Sequence, residues 1–380
     1  MSNIEIIVIL LLLFMGVPDL CRKLRRPALA YPIFILFGIA VGPLLAPGVQ
    51  TMLQQAGHIG FLLLLFEVGL EIDLPPTRQF LRDVRTALSY SLLQYPVVIA
   101  FASYLGLNLT ESLIASIALT GCSVGMAHAA WKSFPGLRDD ERTRLLAVMV
   151  ALEMLTSVGL ALSTTALKVG LSWWIGVKFV GICIVVLLIA RFAAHFVRAF
   201  QTILEKTTHW RLHWIVLLVL VICAAGERLG LDAAKTAFFL GLFMSRARHD
   251  GLNLEECVAP LSRRFLIPIF FVSLGFAVQW SQLVSLTSLL AFGTAGLVLA
   301  VKETLHRRGF RLAQDTRAFL LLSPNLTMVA LAVRSLLEIQ PDSQAALWLL
   351  LTGLFVTVMA ILLTPPGQTA HPGSAPKPAA

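Results

Sequence analysis

Residues 145–168 read LLAVMVALEMLTSVGLALSTTALK, an apolar run whose interior holds one acidic residue, Glu153. A helix of this length extends for about 36 Å, which exceeds the roughly 30 Å hydrocarbon core of a bilayer. The run therefore predicts a membrane-spanning helix. An ionisable side chain inside such a helix costs about 2.5–3.5 kcal/mol on insertion scales and usually has a function. Glu153 is thus the first candidate for chemistry, and the alternative is a protonated side chain that hydrogen-bonds to a neighbouring helix.

The rest of the chain shares the apolar character of this run. Hydrophobic residues make up 57% of the 380 residues and charged residues 13%, against about 25% charged residues in soluble domains. This composition predicts an all-α integral membrane protein. Thirteen segments are candidate spanning helices: about 3–19, 29–46, 56–72, 86–106, 110–130, 145–168, 173–197, 210–228, 232–247, 262–279, 283–305, 315–336 and 344–364.

Charged residues predict how these helices are oriented. With thirteen helices, 24 of the 30 Lys and Arg residues fall on one side of the membrane. Because basic loops stay in the cytoplasm, we expect the N-terminus outside and the C-terminus in the cytoplasm of a multi-pass protein of the cell inner membrane. The net charge of +9 is therefore interpreted as a topology signal, and no nucleic-acid partner is expected.

The helix count also predicts an internal repeat. Helices 1–6 (about 3–168) and helices 8–13 (about 210–364) form two six-helix halves, joined by a linker helix at 173–197. A single linker helix inverts the second half, which gives the inverted repeat common in secondary transporters. We expect one transmembrane domain over 1–364 and a disordered cytoplasmic tail over 365–380, because the tail is rich in Pro, Gly and Ala.

Two helices at equivalent places in the halves carry interruption signals. Residues 120–125 read TGCSVG and residues 323–327 read SPNLT. Proline removes a helical hydrogen bond and glycine loosens the backbone, so broken helix ends can face an ion there. The alternative is a proline kink with close glycine packing. The polar candidates that would line the site are Thr120, Ser123, Asn325 and Thr327.

Two further ionisable residues lie in apolar helices. Lys302 follows an apolar run, so it either compensates charge in the site or extends to the membrane surface as an end-of-helix lysine. Glu67 is either a second titrating group or the partner of Lys302 or of an arginine. No pattern of cysteines, nucleophile–base pairs or phosphate loops predicts a cofactor, an enzyme or a metal other than a transported cation.

Several segments together resemble the monovalent cation:proton antiporter-2 family of Kef-type and bacterial sodium/proton exchangers. They are GIAVGP at 38–43, GHIG at 57–60, LFEVGLEID at 65–73, FLGLFMS at 239–245 and PIFFVSLG at 268–275. The resemblance implies a homodimer with a core domain of two crossed, broken helices. It places the family's acidic ion-binding position on Glu153, here preceded by Leu152, and the core lysine on Lys302.

These observations predict a secondary active transporter that exchanges Na⁺ or K⁺ for protons by alternating access. One carboxylate that binds either a proton or a cation is the simplest physical basis of such exchange. The alternative is a cation channel, or a transport-inactive sensor or assembly protein on the same fold. The expected partners are the lipid bilayer, the two substrate ions and a second copy of the chain.

Overall fold

A computed structural model of the protein describes residues 3–71, 77–169, 211–228, 233–244, 248–249, 252–253, 262–276, 278–339 and 343–365. Within these ranges seven helices are long and apolar enough to cross a membrane, and shorter apolar helices accompany them. The predicted helical membrane architecture is confirmed at this level. The predicted linker helix at 173–197 and nearly all of the predicted tail lie outside the described residues.

The described α-helices are α1 Asn3–Lys23, α2 Ala30–Val41, α3 Pro47–Glu71, α4 Thr77–Leu92, α5 Tyr95–Tyr104, α6 Leu109–Thr120, α7 Val124–Ser133, α8 Asp139–Val169, α9 Arg211–Arg228, α10 Ala233–Met244, α11 Ile267–Gly275, α12 Trp280–Leu283, α13 Leu286–Leu305, α14 Leu326–Ile339 and α15 Gln344–Leu363. Short 3₁₀ helices cover Pro27–Leu29, Gly42–Leu44 and Thr316–Leu322, and π-helical turns cover Ser262–Leu266 and His306–Phe310. One feature departs from an all-helical fold: β1 (Arg248–His249) pairs antiparallel with β2 (Leu252–Asn253).

Several predicted single helices are divided in the structure. The segment predicted at 86–106 begins earlier, at Thr77, and consists of α4 and α5. Pro96 lies in the first turn of α5, where its missing N–H costs nothing, and α4 ends before it. The predicted helix at 262–279 starts with a π-helical turn before α11. These divisions change the bounds of the predicted helices.

The helices pack as two bundles. In the first bundle, α3 packs against α10 and α11, and α11 also packs against α2. In the second bundle, α4 packs against α8, α6 against α5 and α8, and α15 against α13 and α14. The second bundle contains both interrupted segments, so it positions the candidate site.

Glycines set the close spacing of the first bundle. Gly60 of α3 faces the main-chain oxygen of Leu266, and Gly38 of α2 faces that of Val272. A Cβ atom at either position would overlap the facing carbonyl. Small residues permit this close approach, which supplies the van der Waals contact that holds membrane helices together.

Candidate functional site

The first interrupted helix breaks between α6 and α7. An Asn108–Glu111 capping box starts α6, and the helix ends at Thr120. Gly121 and Ser123 then adopt extended backbone conformations, and α7 begins at Val124. The predicted helix at 110–130 is therefore two half-helices, whose facing ends leave amides and carbonyls without helical partners.

The second interrupted helix breaks in the same way. A seven-residue 3₁₀ helix ends at Leu322, residues 323–325 follow, and α14 begins at Leu326. Pro324 lies in this break, where it has no N–H to leave unsatisfied. The break therefore falls where the sequence predicts it, although the first half is 3₁₀ rather than α-helical.

The two breaks contact each other directly. Ser123 donates its main-chain N–H to the Pro324 oxygen at 2.7 Å. Asn325 donates from Nδ2 to the main-chain oxygen of Leu119 at 2.7 Å, and the Cys122 thiol donates to Leu321 at 3.4 Å. These hydrogen bonds satisfy exposed helix ends of one segment with groups of the other. The two interrupted segments therefore cross at their breaks.

Lys302 stabilises the carboxyl ends of both first half-helices. Its side chain is fully buried, and Nζ donates to the main-chain oxygens of Leu322 at 2.9 Å and Gly121 at 3.5 Å. Helix carboxyl ends carry partial negative charge, so a buried ammonium group there is electrostatically favourable. This burial excludes the alternative in which Lys302 extends to the membrane surface.

Glu153 occupies the opposite electrostatic position. It lies on α8, is fully buried, and accepts from the Val124 main-chain N–H at 3.0 Å through Oε2. Val124 is the first residue of α7, and a helix amino end favours negative charge. Lys302 thus lies at the carboxyl ends of the two first half-helices, and Glu153 lies at the amino end of α7.

Two buried hydroxyl groups beside the breaks are unsatisfied. Ser123 immediately precedes α7 and Thr327 lies in the first turn of α14. Neither Ser123 Oγ nor Thr327 Oγ1 has a hydrogen-bond partner in the described part of the chain, and both residues are at most 2% exposed. Buried polar atoms are normally paired, so these oxygens are available to a ligand.

The other predicted polar residues brace the crossing. Thr120 Oγ1 lies 2.6 Å from Ser91 Oγ, which connects α6 to α4. Asn325 uses its amide on Leu119, as described above, and Thr357 donates to its Oδ1 at 3.5 Å. Sequence reasoning missed Ser91 and Thr357. Both are small polar residues within apolar helices, and many other residues of this chain fit the same description. The sequence therefore does not single them out.

Glu67 belongs to the first bundle. It is 2% exposed, and its Oε2 accepts from Arg263 Nε at 2.8 Å while its Oε1 accepts from the Ser262 hydroxyl. Of the partners considered for Glu67, the structure places an arginine beside it. Lys302 has no carboxylate oxygen within 4.0 Å among the described residues, so the two are not paired.

Crossed, interrupted helices with buried ionisable groups at their ends define a class of membrane protein, the secondary transporters. The sequence profile described as "Sodium/hydrogen exchanger, transmembrane" matches residues 8–368. The chain therefore belongs to the transmembrane sodium/hydrogen exchanger family. It is a transporter of the cation/proton exchange type and not an enzyme.

Individual relatives agree with this family. A probable Na⁺/H⁺ antiporter 3 of Methanocaldococcus jannaschii is 26% identical over an alignment of 294 residues that covers 74% of this chain and 73% of that protein. The Na⁺/H⁺-K⁺ antiporter GerN of Bacillus cereus is 24% identical over 69% of this chain and 68% of its own length. The solved structure of the sodium proton antiporter MjNhaP1 from Methanocaldococcus jannaschii superposes with a TM-score of 0.69 and 14% identity, covering 95% of both chains. That structure shows the fold.

Proposed function

We propose that Glu153 is the carboxylate that binds a proton and a monovalent cation in turn. Glu153 is buried at the amino end of α7, and the unsatisfied hydroxyl oxygens of Ser123 and Thr327 lie beside the two breaks. Carboxylate, hydroxyl and freed carbonyl oxygens are the groups that coordinate alkali ions at broken membrane helices. The single observation that carries the proposal is this buried carboxylate at the crossing.

Lys302 acts in this proposal as a fixed positive charge and not as a mobile gate. It donates to two main-chain carbonyl oxygens, which do not titrate, so we expect these hydrogen bonds to persist when Glu153 binds a cation. Thr120 hydrogen-bonds to Ser91, and Asn325 hydrogen-bonds to Leu119. These hydrogen bonds fix the positions of the two breaks and thereby position the residues that bind the ion. One titrating carboxylate then exchanges one proton for one monovalent cation, which moves no net charge.

The finer architecture also belongs to the proposal. We infer thirteen helices in two inverted halves, with the helix at 173–197 as linker. The equivalent positions of the two breaks and the antiporter fold of the structural relative support this inference. The second bundle moves against the first during alternating access, and the first bundle forms a homodimer. The protein lies in the inner membrane with the N-terminus outside and the C-terminus in the cytoplasm.

The substrate is Na⁺ or K⁺. Both ions appear in the names of relatives, since GerN is a Na⁺/H⁺-K⁺ antiporter, and a third relative is an ammonium/H⁺ antiporter subunit of Alkalihalophilus pseudofirmus. The channel and the transport-inactive alternatives gain no support from these relatives. Selectivity among the ions is a property of the site that flux measurements resolve directly.

The test is flux in proteoliposomes loaded with a pH-sensitive dye, with Na⁺, K⁺ and Li⁺ added separately. Wild-type protein is expected to move protons on addition of at least one cation, and Glu153→Gln to give the trace of protein-free liposomes. The matched control is Glu111→Gln, because glutamine also completes the capping box at the start of α6. Full exchange by Glu153→Gln refutes the assignment.

A further inference from the structure

A charged cavity lies at one end of the second bundle, away from the crossing. It has a volume of about 580 Å³ and lies between the start of α8, the end of α13 and the segment before the second interrupted helix. We call it the arginine pocket. The charged and titratable residues that line it are Arg138, Asp140, Glu141, Arg144, His306, Arg307 and Arg311.

Both carboxylates of the arginine pocket are already engaged. Glu141 is 6% exposed and accepts from the Gln314 main-chain N–H at 2.9 Å and from Arg138 Nη2 at 3.3 Å. Asp140 lies 3.6 Å from Arg138 Nε. One arginine therefore serves both acids, and Glu141 fixes the loop before the second interrupted helix to the start of α8.

The other arginines leave an excess of positive charge. Arg307 pairs with Glu303 at 2.5 Å on its own helix. Neither Arg144 nor Arg311 has a carboxylate oxygen within 4.0 Å in the part of the chain that the structure describes. Asp83 acts on Arg144 from a longer distance, and Arg311 Nε donates to the main-chain oxygen of Arg307 at 3.2 Å. Like charges held together repel one another, so the arginine pocket is complementary to an anion.

His306 adds a hydrogen-bonding group to the same cavity. It is 1% exposed, and its Nε2 lies 3.2 Å from the main-chain oxygen of Asp315. Its Nδ1 makes no hydrogen bond of normal geometry among the described residues, although the Ala313 backbone also interacts with the ring. Because Nε2 faces a carbonyl oxygen, it carries the ring proton, and Nδ1 of the neutral ring is a hydrogen-bond acceptor. A ligand that satisfies Nδ1 must therefore bring a donor, such as the hydroxyl of a monoprotonated phosphate.

Arg311 is held in an unusual conformation at the rim. Its φ of 37° lies in the left-handed region that favours glycine, and its N–H donates to the His306 oxygen at 3.0 Å. Arg311 ends the π-helical turn at a position where glycine is the common residue. An arginine therefore occupies a backbone conformation that is strained for residues other than glycine.

We propose that the arginine pocket binds a phosphate group, carried either by a soluble phosphate compound or by a lipid headgroup. Guanidinium groups match the geometry of phosphate oxygens and bind them through paired hydrogen bonds. Arg144 and Arg311 supply guanidinium groups that form no ion pair within 4.0 Å among the described residues, and His306 Nδ1 can accept from the hydroxyl of a monoprotonated phosphate. The pocket joins α8 and α13, the helices that carry Glu153 and Lys302, so a bound phosphate bridges the helices that hold the exchange site.

Ligand-dependent thermal unfolding of the full chain in neutral detergent tests this proposal without any transport assay. The probes are inorganic phosphate and dihexanoyl phosphatidic acid, each compared with sodium chloride at equal ionic strength and with dihexanoyl phosphatidylcholine. A ligand that binds the folded state raises the unfolding temperature with its concentration. Saturation by inorganic phosphate identifies a soluble ligand, and a response to phosphatidic acid alone identifies a lipid headgroup; either supports a phosphate site.

The variant that removes the site is Arg144→Gln combined with Arg311→Gly, since glycine suits the left-handed backbone and preserves the turn. Its half-saturating concentration is expected to rise at least about tenfold. The matched control is Arg308→Gln, an exposed arginine on the same turn that does not line the cavity. If the double variant does not fold, the single variant Arg144→Gln replaces it in the test, because the Arg144 side chain is exposed. An equal response from wild type and the site variants, or none from wild type to either probe, overturns the proposal.

Discussion

Lys302 and Leu322 are joined by a hydrogen bond of 2.9 Å, from the lysine ammonium group to the main-chain oxygen that ends the first half of the second interrupted helix. The same ammonium group reaches Gly121, just past the end of α6. One buried cation therefore holds two helix ends that would otherwise expose carbonyl oxygens within the bundle. In the proposed mechanism, its primary role is to stabilise the crossing on which the ion site depends.

Replacement of Lys302 by methionine is expected to destabilise the protein. Methionine fills similar space but donates no hydrogen bond, so the Leu322 and Gly121 oxygens lose a buried donor. A buried group left unsatisfied costs about 1–3 kcal/mol. The measurement is the unfolding temperature in detergent, together with proton flux in proteoliposomes. If Lys302→Met has the unfolding temperature and the proton flux of wild type, the crossing does not need the lysine ammonium group.

Replacement of Glu153 by glutamine is expected to separate folding from exchange. The amide oxygen of glutamine can still accept from the Val124 N–H, so the amino end of α7 stays capped. Titration is lost, and with it the competition between a proton and a cation. The unfolding temperature should stay close to that of wild type while cation-driven proton flux falls to background. A large loss of thermal stability in Glu153→Gln would indicate instead that the charge is structural.

Much of this architecture could be predicted from hydropathy and from the residues that interrupt helices. The apolar run around Glu153 and the proline at 324 predicted a spanning helix and a break, and the structure places both there. Bounds were less predictable, because α4 and α8 continue into polar residues such as Arg82 and Glu141. Helices extend beyond the hydrocarbon core where their hydrogen bonds still form, and hydropathy alone does not detect this extension.

The partners of the candidate residues could not be predicted. Glu67 had Lys302 and an arginine as possible partners, and the choice of Arg263 depends on how α3 packs against the turn before α11. Likewise, the Asn325 side chain carries an oxygen that could bind an ion, but its amide nitrogen donates to the main-chain oxygen of Leu119. Such contacts join residues about 200 positions apart in the chain. They depend on tertiary packing, which local sequence patterns do not encode.

Substitution of Gly60 by alanine is expected to separate α3 from the turn before α11. The new methyl group would overlap the Leu266 main-chain oxygen, which has no side-chain freedom to move aside. Overpacking of this kind costs about 1–3 kcal/mol. The matched control is Gly296→Ala on α13, where no atom lies within 4 Å of the added Cβ. The unfolding temperature should fall for Gly60→Ala and hold or rise for Gly296→Ala; equal values would contradict the close packing.

The Glu67–Arg263 ion pair is expected to stabilise the first bundle without taking part in exchange. Glu67 is buried on α3, whereas the Arg263 side chain is 39% exposed on the turn before α11, so the pair connects two elements at the edge of that bundle. A double-mutant cycle with Glu67→Gln and Arg263→Gln should give a coupling energy of about 0.5–3 kcal/mol in unfolding. Cation-driven proton flux per folded molecule should persist in all three variants, since Glu153 and the crossing lie in the other bundle. Loss of flux in Glu67→Gln at unchanged thermal stability would make Glu67 a second titrating group of the transport cycle and overturn its structural role.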